Sequence, residues 1–133
     1  MDRLFLDANV LFSAAYKKDA RVVRLWALKD ALLLTSRYAL EEARFNLEHE
    51  EQRRRLVTLA RDLQLVEATD HPLPRHASLP EKDQPILLAA LEAKAHYLLT
   101  GDLRHFGAYF GKSLAGVRVI SPGQYLKLRS RGG

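Results

Sequence analysis

Five short apolar runs punctuate the chain: RLFL (3–6), ALLLT (31–35), QLVEA (64–68), HYLLT (96–100) and VRVI (117–120). Between them stand segments whose apolar residues recur at helical spacing. NVLFSAAY (9–16) suits a short helix. DARVVRLWALKDA (19–31) suits an amphipathic one, with Val22, Val23, Leu25, Trp26 and Leu28 toward one side and Asp19 as N-cap. Further helices are expected from Ser36 over 36–49, over 51–63, over 83–95 with Pro85 in the first turn, and over 102–111 up to Gly111. A last helical turn or two is expected in 121–130. Strands alternating with helices imply parallel neighbours, because a parallel connection has to cross a face of the sheet. The expected class is therefore α/β, a three-layer α/β/α sandwich around a central parallel sheet of about five strands. Its 133 residues suit one domain, 1–133, and four of the five prolines fall in a single connection, 69–85.

Composition narrows the function classes. The chain has no cysteine, so disulfide frameworks and thiolate metal sites are excluded. No apolar run approaches the roughly 20 residues of a membrane span, and Met1-Asp2-Arg3 leads into a strand rather than a signal peptide. A cytoplasmic protein without membrane attachment is expected. Lys and Arg number 21 against 16 for Asp and Glu, a formal charge of +5. Gathering several of those carboxylates in one site would leave the remaining exterior more basic still, which suits a polyanionic substrate. Neither G-x-x-x-x-G-K nor G-x-G-x-x-G occurs, which disfavours the nucleotide-binding classes built on those loops.

The acids fall at informative places. Asp7 ends the first apolar run and Asp102 follows the fourth, in LLTGD; Asp83 opens the helix that feeds the fourth run, and Glu42 lies one to two turns into the helix after the second. In a parallel sheet all strand carboxyl ends share one edge, so Asp7, Asp102 and Glu42 can approach one another. Each acid also has a local reading. Asp7 and Asp83 suit helix caps, Asp102 a turn, and Glu42, beside Glu41, a solvated helix face. Gathered in one cleft the acids repel, by about 4 kcal/mol for two unit charges 4 Å apart at an effective dielectric near 20, unless protons or cations compensate them. All-oxygen ligands favour Mg²⁺ or Mn²⁺, ions that retain waters, one of which can be activated, and that clamp phosphate oxygens. An acidic metal site on a basic domain points to phosphodiester hydrolysis.

With these residues placed, the chain resembles the PIN-domain family of metal-dependent ribonucleases over nearly its full length. Asp7-Ala8-Asn9-Val10-Leu11 is similar to the family's opening D-x-N-hydrophobic motif. Ser36, Leu40, Glu42 and Leu47 fit its S-x-x-hydrophobic-hydrophobic-x-E helix, with Ala39 at the other apolar place. Asp83, Ile86, Leu87, Ala89 and Ala90 match the third motif; Ala95, Tyr97, Leu98, Leu99, Thr100, Gly101 and Asp102 match the fourth. TGDLRHF and VISPGQYL also resemble toxin-type and orphan prokaryotic members of the VapC-like branch. The resemblance implies that Asp7, Glu42, Asp83 and Asp102 form the catalytic acidic site. Asp7, Asp83 and Asp102 would ligate one or two Mg²⁺ or Mn²⁺ ions, and Asn9 and Thr100 would orient the carboxylates. Glu41 competes with Glu42 and Glu81 with Asp83, and the motif spacing favours Glu42 and Asp83. An RNA substrate, a cognate antitoxin protein and a homodimer follow as expected partners.

Basic clusters occur at Lys17/Lys18/Arg21/Arg24, Arg53/Arg54/Arg55 and Lys127/Arg129/Arg131. Lys17, Lys18 and Arg21 are the preferred phosphate contacts, with Arg104 and His105 in reach of an RNA backbone. Arg37 and Arg44 flank Glu42 as compensating charges. His49, His71, His76 and His96 show no ligand-like spacing. Tyr38, Trp26, Phe45, Tyr109 and Phe110 serve either as core or as stacking surfaces. Two rivals stand beside the nuclease: a non-catalytic PIN module that binds RNA or protein, and a receiver-like phosphoacceptor. The second is disfavoured because no fitting Asp follows QLVEA and no Lys follows VRVI.

Overall fold

The computed structural model describes residues 1–67 and 79–132. Most of the expected 69–85 connection, the end of the 64–68 run, His71 and His76 lie outside the described residues. Strand β1 (Asp2–Leu6) leads into helix α1 (Ala8–Tyr16); β2 (Ala31–Thr35) is followed by α2 (Arg37–Asn46) and α3 (Glu50–Ala60), then β3 (Gln64–Leu65). Helix α4 (Gln84–Glu92) precedes β4 (Tyr97–Leu99), and the short α5 (Leu103–Phe106) precedes the hairpin β5 (Ser113–Leu114) and β6 (Val117–Ile120); α6 (Pro122–Gly132) closes the chain. The architecture is α/β/α with a mostly parallel central sheet in the order β3-β2-β1-β4-β6-β5.

That order positions the site. The chain runs outward from β1 through β2 to β3, then returns to pair β4 with the opposite side of β1. The reversal opens a crevice beyond the carboxyl ends of β1 and β4, where open α/β sheets hold their ligands. The ends of both strands toward that crevice, Leu4–Phe5–Leu6 and Leu98–Leu99, are apolar and fully buried, as in central parallel strands. Their parallel register sets Leu6 beside Leu99, so Asp7 and Thr100 leave the sheet side by side.

Four expectations change. The helix expected over 102–111 is α-helical only at Leu103–Phe106, passes into a 3₁₀ turn at Gly107–Tyr109, and Phe110 bridges to Val119. Residues Arg21–Ala27 form a 3₁₀ turn rather than an α-helix, without a side-chain cap from Asp19. Val22, Leu25 and Leu28, with Val23 and Trp26, repeat every three residues, which matches the tighter helix, and the Trp26 indole donates to Leu59 O at 2.9 Å. A sixth strand, β5, joins β6 antiparallel through a two-residue turn with Ala115 and Gly116 both at positive φ, the geometry of a tight hairpin. The C-terminal helix spans 11 residues rather than a turn or two.

Several arginines of the basic clusters belong to the scaffold. Arg55 donates to Ala15 O and Tyr16 O, capping the exposed carbonyls at the end of α1. Arg129 on α6 pairs with Asp30 and donates to Tyr125 Oη, which itself donates to Asp2 Oδ2 at 2.6 Å. Tyr125 is buried, packs edge-on against Tyr97, and thereby latches α6 to the amino-terminal edge of the sheet. Tyr125→Phe keeps the ring and removes these bonds, so thermal unfolding should show a loss of about 1–3 kcal/mol; an unchanged melting temperature would mean the latch is apolar only.

Candidate active site

Asp7, Glu42, Asp83 and Asp102 line one cleft of about 460 Å³ at the strand carboxyl ends, together with Asn9 and Lys82. Each acid arrives from a different element. Asp7 is the residue between β1 and α1; its Oδ1 accepts from Ala8 N at 2.6 Å, so it both caps the helix and faces the cleft. Ser36 caps α2 through a bond from Ala39 N at 3.2 Å, and Ala39, Ala43 and Leu47 turn into the core. That register leaves Glu42 half-buried at the cleft and Glu41 exposed. Asp83 ends a 3₁₀ turn (Glu81–Asp83) ahead of α4 and makes no side-chain cap, while Glu81 is exposed.

A polar clasp joins the ends of β1 and β4. The Thr100 hydroxyl donates to Asp7 Oδ2 at 2.7 Å and accepts from Asp102 N at 3.0 Å. Asn9 Nδ2 donates to Asp7 Oδ2 at 3.0 Å and to Thr100 Oγ1 at 3.1 Å, and its Oδ1 accepts from Gly101 N at 2.8 Å. Thr100 is fully buried, so these bonds are exchanged for no water. Asn9 and Thr100 thus hold the Asp7 carboxylate and the backbone of Asp102 in one fixed relation.

The cleft disfavours negative charge. Burial pushes the Asp7 carboxyl up to about 6, helped by the charges of Asp83 and Glu42 and opposed by the bonds from Thr100 and Ala8. Burial likewise raises Glu42, with Asp83 and Asp102 adding to it and Lys82 opposing. Asp83 is raised chiefly by burial; His105 and Lys82 pull it back. The cation acting on Glu42 is Lys82, from the turn before α4, which lines the same cleft, rather than the flanking Arg37 and Arg44 that spacing suggested, which do not line it. Lys82 carried no motif. Its signal was only its place beside Asp83. Tyr38, four residues before Glu42, reaches across the rim to donate to Lys82 O at 2.6 Å.

His105 departs most from expectation. Rather than standing outside with Arg104 on the substrate side, its Nδ1 lies 2.6 Å from Asp83 Oδ2 and 2.8 Å from Asp102 Oδ2. Among the described residues, Asp83, Asp102 and His105 are the group compact enough to hold a metal ion; Asp7 lines the same cleft but is not one of that trio. A divalent cation fits the donors present. Asp83 is only 5% exposed, yet its Oδ2 and His105 Nδ1 are buried without a hydrogen-bond partner. Lys17 and Arg21 are exposed and line a second groove that shares Phe12 and Ser13 with the acid cleft. Lys18 and Arg104 are exposed too.

A family model described as PIN domain matches residues 3–104, and the chain belongs to the PIN-domain family. Solved structures agree in fold. A chain of the VapBC2 complex from Rickettsia felis, bound to a promoter DNA fragment, superposes with a TM-score of 0.64 at 14% identity, over 90% of this chain and 98% of that one. VapBC-1 from nontypeable Haemophilus influenzae gives 0.60 at 14% identity, over 91% and 98%. Mycobacterium tuberculosis VapC20, a toxin that cleaves the sarcin-ricin loop, gives 0.57 at 18% identity, over 84% and 98%. No curated protein matches the sequence significantly.

The charge cost of the cleft is measurable. Asp7 holds its proton more tightly folded than unfolded, so stability is fully present below pH 3.8 and falls as pH rises toward 6. The shift corresponds to at most about 3 kcal/mol. Metal-free Asp7→Asn should therefore melt about 3–8 °C above the parent at pH 8 and converge with it near pH 4. A variant that melts lower at pH 8 would mean that the carboxylate's hydrogen bonds outweigh its burial cost.

Proposed function

We propose that this PIN-domain protein is a metal-dependent endoribonuclease. What carries the reading is a cleft lined by four carboxylates, three of them pushed toward protonation, in a chain with a net charge of +5. Such a cluster is costly unless a cation compensates it, and oxygen-rich sites suit Mg²⁺ or Mn²⁺. Asp7, Asp83 and Asp102 would hold one or two such ions. When bound, the metal supplies Lewis acidity, lowering the pKa of water and neutralising charge on the phosphate.

The protein's own groups do the rest. Asn9 and Thr100 keep Asp7 from rotating, which fixes where the phosphate has to sit. Glu42 faces the same space and is the group to orient the attacking water and accept its proton. Lys82 lines the cleft and Lys17 and Arg21 the groove beside it, a placement that suits the flanking backbone of a long polyanion, with the exposed Lys18 and Arg104 as further phosphate contacts. VapC20 and the VapBC complexes share the fold, which supports a role as the toxin of a toxin–antitoxin pair, acting in the cytoplasm with a protein antitoxin. Among the described residues no helix is long and apolar enough to cross a membrane. Phe45 on α2, 86% exposed, and Val57 on α3, 56% exposed, are apolar side chains available to a homodimer contact.

RNA cleavage with Mn²⁺ or Mg²⁺, with and without chelator, tests the reaction. Asp7→Asn and Asp102→Asn should each lose at least about 100-fold in rate, and Thr100→Val about 10- to 100-fold. Chelator should abolish cleavage by the parent. Cleavage that survives both chelator and Asp7→Asn would sink the assigned site. RNA binding with no cleavage under any divalent ion would identify a non-catalytic module instead. Induced expression in a bacterial host should arrest growth, and Asp7→Asn should relieve the arrest.

A further inference from the structure

Building on the metal-dependent reading above, we propose that His105 Nδ1 is itself a metal ligand, completing a mixed nitrogen–oxygen site with Asp83 and Asp102. Its consequence is a preference for Mn²⁺ over Mg²⁺.

Three observations carry this. First, the two closest approaches of Nδ1, 2.6 Å to Asp83 Oδ2 and 2.8 Å to Asp102 Oδ2, lie near the about 2.9 Å edge of an octahedron with 2.0–2.1 Å bonds. Second, neither approach has the direction of a hydrogen bond. Asp83 Oδ2 and His105 Nδ1 are buried atoms without such a partner, although an imidazolium held between two carboxylates would point its N–H at one of them. A cation among these three close donor atoms would satisfy both buried atoms at once.

Third, the local chain holds the imidazole there. Asp102 Oδ1 accepts from His105 N at 3.1 Å, which turns Oδ2 toward the cleft. Phe106 N donates to Asp102 O at 3.0 Å, and the fully buried Phe106 ring anchors the turn. The spacing of three residues then brings His105 over the same face as Asp102. Imidazole nitrogen binds first-row transition ions far better than it binds Mg²⁺, which prefers oxygen and its own waters.

The test uses the full chain, stripped with chelator and titrated separately with Mn²⁺ and Mg²⁺ by calorimetry, as the parent, His105→Gln and Asp7→Asn. Circular dichroism of each metal-free protein checks folding. His105→Gln should weaken Mn²⁺ binding about 10- to 100-fold and Mg²⁺ binding less than about threefold. Pulsed electron paramagnetic resonance of the Mn²⁺-loaded parent should show ¹⁴N coupling from the imidazole, lost in His105→Gln. That signal needs no variant, so it decides the matter even if His105→Gln unfolds. Mn²⁺ binding without ¹⁴N coupling overturns the His105 assignment and leaves the nuclease reading standing. Unchanged Mn²⁺ affinity in a folded His105→Gln that melts lower than the parent makes His105 an ion-pair partner only, and also overturns it. A parent that binds no Mn²⁺ overturns both.

Discussion

Everything at the site depends on β1 and β4 being neighbours. Their register sets Leu6 against Leu99, and the next residues, Asp7 and Thr100, meet through a buried hydroxyl–carboxylate bond. Because Thr100 also accepts from Asp102 N, one hydroxyl ties two acids that lie 95 residues apart in the chain. A fully buried hydroxyl with every bond satisfied gains rigidity in a medium where an unpaired one would cost several kcal/mol.

That rigidity has an electrostatic cost. The same scaffold that holds Asp7 at 3% exposure lifts its carboxyl to about 6 and brings Glu42 and Asp83 close enough to repel it. The local and the functional readings of Asp7 therefore coincide: a carboxylate capping a helix at a strand end is already aimed at the crevice. Asp102 behaves alike, with one oxygen spent on its own turn and the other left for the cleft. Asp83 differs. It makes no capping bond at all, so its burial has no local explanation.

Positive charge divides between scaffold and surface. Arg3 donates to Ala93 O at the end of α4, Arg55 to the end of α1, and Arg129 bridges α6 to Asp30 and Tyr125. A guanidinium with five donors in a planar fork suits this capping of carbonyls. Of the cations left exposed, Lys82 lines the cleft and Lys17 and Arg21 line the groove beside it. A count of basic residues does not separate the two groups. Only the neighbours do.

The strands around the site, the Ser36 cap and the helical register that turns Glu42 rather than Glu41 toward the cleft were legible because they rest on local periods and turn chemistry. Hairpin β5–β6 was not, since two residues carry no period and Ala-Gly is a weak turn signal. Nor was the 3₁₀ turn at Arg21–Ala27, whose three-residue repeat passes for a helical one over so short a stretch. By itself the amino-acid sequence determined the β/α alternation and which carboxylates stand at strand ends, because hydrophobic period and capping act within a few residues. Tertiary structure alone decided that the sheet reverses between β1 and β4, that Lys82 rather than Arg37 or Arg44 bears on Glu42, and that His105 turns inward between two acids. Those outcomes depend on groups brought together through space, and no local pattern records a neighbour that is distant along the chain.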